Sequence, residues 1–203
     1  SPSVTPGYWR APALTAAAFD EEGFYRIGDA MRFAQPDDPS AGFLFDGRLA
    51  ENFKLRTGTW VAVGAVREGL VNDLGGLARD AVIAGEDREE LGALILPSEP
   101  AMCALLSVGN ATAPDGAALA AHPLIRAELA RRLARHAAAA TGSASRVTRL
   151  MVLDTPPSFD AGEITDKGSL NQRAILRHRA ELVEALFGHD PRVITPADAA
   201  AAV

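Results

Sequence analysis

Hydrophobic positions recur with two different periods along this chain, and the switch between them marks its elements. Apolar side chains at Val66, Leu70 and Leu74 fall every fourth residue, which predicts a helix over 66–77. Ile125, Leu129 and Leu133 repeat that spacing behind Pro123, whose fixed φ suits a first helical residue, and Thr141-Gly142 closes this second helix. Over 170–187, Ile175, Leu176, Leu182, Val183, Leu186 and Phe187 make one apolar face, and Gly188 supplies the stop signal. The apolar runs 80–84, 91–96 and 147–153 are too short for helices and predict strands. The first two are joined by Glu86-Asp87-Arg88-Glu89-Glu90, mixed in sign, which reads as a solvated turn.

The amino-terminal third is patterned differently. Asp20-Glu21-Glu22-Gly23 predicts a turn, followed by a short strand through Phe24, Tyr25 and Ile27. Residues 35–40, with two Pro and two Asp, predict a loop, and 42–49 a second strand that forms a hairpin with the first. Another hairpin is expected over 53–63, turning at Thr57-Gly58. The stretch 97–122 is rich in Pro, Gly and Ala; it predicts a short helix near 102–106 and a loop over 110–116, and no function attaches to 99–122. Residues 156–168 show no regular pattern, and the Ala-rich end past Pro196 offers little to pack. The sum is an α+β domain, a small mixed sheet with helices on its faces, preceded by a β-rich stretch.

With 203 residues, 48% of them hydrophobic, there is enough chain for one sizeable core, or for a full domain plus part of another. A net charge of −6 disfavours nucleic acid and anionic membrane surfaces as partners. Cys103 is the single cysteine, so no internal disulfide forms, which suits a reducing, cytoplasmic setting. No apolar run nears the ~20 residues of a bilayer span. The chain opens at Ser1-Pro2-Ser3 without a Met and reads as the tail of something larger.

Lysine is the informative residue. Of 20 basic side chains only Lys54 and Lys167 are Lys, the rest being Arg. Arg is a rigid planar fork and Lys a compact, mobile point charge, so the two do different work. Lys167 lies in the irregular loop between Gly162 and Gly168, free to swing, and its ordinary alternative is an exposed loop lysine. Asp29 follows Gly28 at a strand end, where a carboxylate can accept from two vicinal hydroxyls or simply cap its own turn. Arg48, after Gly47, offers a fork to phosphate or sugar oxygens, or forms a surface ion pair. Lys54 alternates with apolar neighbours, which also suits a solvated strand face, and Gly58 lies beyond it. Four His without ligand spacing and one Cys predict no metal site. Phosphate-loop and dinucleotide fingerprints are both missing.

Taken in order, these segments resemble the carboxy-terminal part of the adenylate-forming, or acyl-CoA synthetase, superfamily. Tyr25-Arg26-Ile27-Gly28-Asp29 is similar to the family's aromatic-x-Thr-Gly-Asp segment, with Ile27 in place of Thr, and Gly7-Tyr8-Trp9-Arg10 with Thr15 to the element before it. Gly47-Arg48…Lys54…Gly58 resembles the family's Gly-Arg hinge segment, and Glu163-Ile164-Thr165-Asp166-Lys167-Gly168…Asn171-Gln172-Arg173 is most similar to feruloyl-CoA synthetases and related aromatic acid–CoA ligases. The resemblance implies that residues 1–48 end a large amino-terminal domain and that 49–203 form the mobile carboxy-terminal domain. It implies that Asp29 holds the AMP ribose, that Arg48 contacts ribose or phosphate, and that Lys167 bridges carboxylate and α-phosphate during adenylation. Lys54 and Gly58 belong to the face used in thioester formation. Ala50 stands where the family's charged hinge residue is usual, with Glu51 next, so the hinge is assigned to this pair.

The implied activity is ATP-dependent ligation of an aromatic carboxylate to CoA through an acyl-AMP. ATP, CoA and Mg2+ are the implied cofactors, Mg2+ and most of the ATP site belonging to the protein's own amino-terminal domain. This segment alone is expected to be inactive. Two alternatives stand beside that reading: a non-catalytic nucleotide-, CoA- or partner-binding module, and an adenylating enzyme that loads a carrier protein.

Overall fold

A computed structural model describes residues 2–106 and 116–199. The chain divides into two compact units, Ser1–Ala50 and Glu51–Val203.

In the first unit, helix α1 (Pro12–Ala18) begins at a proline and carries no charged residue. Thr15 ties its start together: Tyr8 N–H donates to the Thr15 hydroxyl, which itself donates to the Ala11 carbonyl at 3.1 Å. Phe24 and Tyr25 do not form the expected strand. Asp20 accepts from the Glu22 and Phe24 amides, and Tyr25 makes only an isolated bridge to Phe19, their rings edge-on at 5.4 Å. Strand β1 (Asp29–Gln35) starts after Gly28, whose φ of +78° lies in the left-handed region. Its antiparallel partner β2 (Asp38–Arg48) begins after only Pro36-Asp37, so the loop expected over 35–40 is a tight turn. One face of the hairpin carries Met31 opposite Phe45 and Phe33 stacked on Phe43 at 5.0 Å, all exposed within this unit. A 3₁₀ turn, Leu49–Glu51, follows.

The second unit is built on three strands, β5 (Ala78–Ala84), β6 (Leu91–Pro97) and β7 (Val147–Val152). β6 is central, antiparallel to β5 and parallel to β7. Both faces are covered, which is why these strands read as unbroken apolar runs. Ala81, Ile83, Ala93 and Ile95 enter one core, packed by α2 (Val63–Asp73), α3 (Glu99–Leu105), α4 (Gly116–Ala121) and α5 (Pro123–Ala139). Val82, Ala84, Leu94 and Met151 enter the other, with Ile175 of α6 (Gln172–His178) and Leu186 of α7 (Ala180–Phe187). Gly92 lets α7 approach: a Cβ there would stand 2.7 Å from Leu186. The architecture is therefore α+β with a mixed sheet, as the apolar periods indicate.

Several boundaries differ from the sequence expectations. Helix α2 starts three residues early and stops at Leu74, where Gly75 and Gly76 take positive φ and Arg132 donates to the Leu74 and Gly75 carbonyls. The single helix expected over 170–187 is two, divided at Arg179 (φ −110°, ψ 34°). Of the stretch past Pro196, the described part packs: the 3₁₀ turn Pro196–Ala199 sets Ala199 against the core of the α5 face, and 200–203 lie outside the described residues. The loop expected over 110–116 lies outside the described residues except Gly116, which opens α4. Cys103 is buried. Among the described residues no helix is long and apolar enough to cross a membrane.

Candidate functional site

Asp29 and Arg48 are brought together. They are register partners at the open end of the β1–β2 hairpin, Asp29 half-buried and Arg48 exposed. The Leu49 amide donates to the Gly28 carbonyl at 2.9 Å, closing the strand ends beside them. Ala50 and Glu51 sit in the 3₁₀ turn, and the division between the two compact units falls between them.

Lys54 lies on a short hairpin, β3 (Phe53–Lys54) with β4 (Trp60–Val61), opposite Trp60. Its ammonium stands 5.9 Å from the centre of the Trp60 ring, within cation–π range, while the indole remains 52% exposed. The turn has a defined form. Gly58 N–H donates to the Leu55 carbonyl at 2.8 Å, Leu55 N–H to the Thr59 carbonyl at 3.0 Å, and Gly58 has φ +81°. This is a three-residue hairpin loop closed by a left-handed glycine. The acidic β5–β6 turn, read from sequence as merely solvated, braces it: Asp87 N–H donates to the Lys54 carbonyl and Arg56 N–H to the Arg88 carbonyl. Arg88 in turn pairs with Glu184 and stacks over Phe187 at 5.1 Å.

Lys167 occupies the same kind of turn, not a swinging loop. Gly168 N–H donates to the Thr165 carbonyl at 2.8 Å, Thr165 N–H to the Ser169 carbonyl at 2.9 Å, and Gly168 has φ +80°. The Thr165 and Ser169 hydroxyls bond at 2.8 Å across its base, and Ile164 bridges Leu170 below them. The ammonium is thus presented at the exposed tip of a closed hairpin. Among the described residues, no salt bridge engages Lys167, Arg48 or Asp29.

Sequence reasoning missed what holds this hairpin. Glu163, 3% exposed, takes both oxygens to the guanidinium of Arg179 at 2.9 and 2.8 Å and also accepts from the Ser158 amide at 2.8 Å. Arg179 gives two further N–H groups to the Thr155 and Pro156 carbonyls. The Asn171 amide donates to the Glu163 carbonyl, and the Asn171 side chain caps α6. Buried Gln172 then accepts from the Ile83 amide on the outer edge of β5, fixing the start of α6 to the sheet. A signal was present: Arg179 falls on the helical stripe between Ile175 and Val183, where a charged residue must find a buried partner.

The bond to Arg179, ahead of the opposing cost of burial, holds the Glu163 carboxyl down at about 2. Because this folded value lies below the unfolded one, the pair's stabilisation is complete above roughly pH 5 and is lost as pH falls toward 2. Glu128, held by Arg131 and Arg132, is likewise lowered to about 2 and weakens over the same window. Urea unfolding midpoints of the chain should therefore hold steady above pH 5 and fall between pH 5 and 2, with Glu163→Gln flattening part of that fall. An unchanged slope in the variant would remove Glu163 from the acid response.

Among the described residues, no group of three or more His, Cys, Asp or Glu side chains is arranged to hold a metal ion.

Comparison with known proteins fits this layout. Residues 65–190 match the family model described as AMP-binding enzyme C-terminal domain. The chain is 28% identical over 189 residues to a carboxylic acid reductase of Mycobacterium marinum, covering 91% of this chain and 14% of that protein. It is 30% identical over 185 residues to a salicylyl-CoA synthase / salicylate adenylyltransferase of a Streptomyces species, covering 91% of this chain and 28% of that protein. Among solved structures it resembles the A domain of carboxylic acid reductase from Segniliparus rugosus, solved with AMP and a co-purified carboxylic acid, with TM-score 0.63 and 25% identity over 91% of this chain and 26% of that one. The chain thus spans between a seventh and under a third of the lengths of these relatives. With the family model covering more than half of its residues, the Lys167 hairpin included, the chain belongs to the AMP-binding enzyme C-terminal domain family of the adenylate-forming superfamily.

Proposed function

We propose that the chain is the carboxy-terminal part of an enzyme that activates an aromatic carboxylate with ATP and transfers the acyl group to CoA, in the manner of feruloyl-CoA synthetases. The observation that carries this is the unpaired Lys167 ammonium at the tip of a closed, anchored hairpin inside the family-matched stretch. Such a cation can be delivered as a unit to a developing phosphate charge. Asp29 and Arg48 then serve the ribose and phosphate from the first unit, and the turn at Ala50-Glu51 is the hinge between residues 1–48 and 49–203. Rotation about such a turn lets one domain serve two half-reactions. Lys54 and Gly58, on a second hairpin of the same design, form the face for thioester formation. Similarity to a salicylyl-CoA synthase supports both the aromatic acid and the CoA acceptor.

Similarity to carboxylic acid reductases favours a second reading, in which the adenylate is formed in the same way and the acyl group passes to a carrier protein. The intact enzyme, given ATP, ferulate or salicylate, and either CoA or a phosphopantetheinylated carrier, separates the two by the thioester it makes. The isolated chain should make neither. Thioester from the isolated chain would overturn the division of labour proposed here.

A further inference from the structure

We infer that Glu163 and Arg179 are positioning residues for Lys167, a structural clamp whose role in adenylation is exerted through that lysine; the inference rests on the reading of Lys167 given above. The segment from Asp154 to Asn171 has little apolar anchorage: Phe159 is 62% exposed, and within 164–170 only Leu170 is buried. What fixes it is polar. The Arg179 fork reaches Glu163 twice and the Thr155 and Pro156 carbonyls once each, while Ser158 and Asn171 donate to Glu163 from both sides. These bonds converge on the residue just before the Ile164–Leu170 bridge, four positions from Lys167. The side chains of the pair are 4% and 12% exposed, so neither is available to meet a substrate.

A buried ion pair is weak support for stability as such, since apolar residues of similar volume often serve as well, whereas it does impose a direction that packing alone leaves open. Here the direction is that of the hairpin tip. Arg179 also stands at the junction of α6 and α7, so the residue at the helix division is the one whose side chain holds the loop. Lysine at 179 would keep the charge but lose the fork that spans Glu163 and two carbonyls.

The test is a double-mutant cycle in the intact enzyme: Arg179→Lys and Glu163→Gln, each alone and with Lys167→Ala, assayed for acyl-adenylate formation and for thioester formation from preformed acyl-AMP. Thermal unfolding identifies which variants are folded at the assay temperature. Each clamp variant alone should lower the adenylation rate about 10–100-fold with KM for ATP nearly unchanged, because a displacement near 1 Å can cost that much. Thioester formation should stay within about twofold, and in the Lys167→Ala background neither substitution should lower adenylation further, as expected for groups acting as one unit. Equal losses in both backgrounds, or a folded Arg179→Lys enzyme at the wild-type rate, would overturn the positioning role while leaving Lys167 in place. Wild-type adenylation by Lys167→Ala itself would overturn both. Should one variant fail to fold, the other completes the cycle.

Discussion

Lys167→Ala in the intact enzyme is expected to slow acyl-adenylate formation by about 10²–10³, the cost typical of losing one preorganised charge-stabilising donor. In this step a carboxylate oxygen attacks the α-phosphorus and the bond to pyrophosphate breaks. Negative charge is then crowded onto the acyl and phosphoryl oxygens together. A lone ammonium can approach such a centre as a point charge. The geometry is compatible with that role: among the described residues no salt bridge engages Lys167, and the Thr165–Ser169 hydrogen bonds and the left-handed Gly168 close the turn that carries it. Lys167→Arg should recover only part of the loss, because a planar guanidinium spreads its charge over a wide fork and does not place it at the same point. Pyrophosphate exchange measures the first half-reaction, and thioester formation from synthetic acyl-AMP measures the second, which should survive in both variants. Equal loss in the two half-reactions would remove Lys167 from its assigned step.

The sheet of the second unit was legible because both its faces are buried. Leu91 to Leu96 is apolar at nearly every position, and the two cores claim alternate residues of it. Helix α5 was legible for the complementary reason, a single stripe of Ile125, Leu129 and Leu133 turned inward. The first unit was read less well. Phe24, Tyr25 and Ile27 carry as much strand propensity as Met31 and Phe33, and the choice between them is made by Asp20, which locks its own turn. Such local polar bonds compete with the ladder and leave little trace in hydrophobicity. The site divides along the same line. Lys167 stood out by rarity and Arg179 by its place on an apolar helical stripe, whereas Glu163 looks like an ordinary charged residue until the fold buries it against Arg179. Their partners are separated by 16 residues, a spacing that no helical or strand period records.

Asp29→Ala is the second large effect, and its signature lies in binding. A carboxylate that accepts from both ribose hydroxyls makes two charge-assisted hydrogen bonds, each worth about 1.5–3 kcal/mol. Losing them should raise the KM for ATP by roughly 10²–10⁴-fold while changing kcat much less, since the ribose contributes equally before and during the chemical step. The position suits that role without being needed for the fold. Asp29 is half-buried at the first residue of β1, opposite Arg48, and no ion pair holds it among the described residues. Its removal should therefore shift unfolding by no more than about 0.5 kcal/mol, the usual range for such sites. The decisive control is 2′-deoxy-ATP. The wild-type enzyme should discriminate strongly against it, having lost one of the two hydroxyls, and Asp29→Ala should treat ATP and the deoxy analogue nearly alike. Arg48→Ala separates the two contacts open to it: a phosphate contact predicts that both nucleotides weaken by a similar factor, and a ribose contact that the preference for ATP falls. If Asp29→Ala kept the wild-type preference for ATP over 2′-deoxy-ATP, the carboxylate would be a turn residue and the ribose contact would have to come from elsewhere.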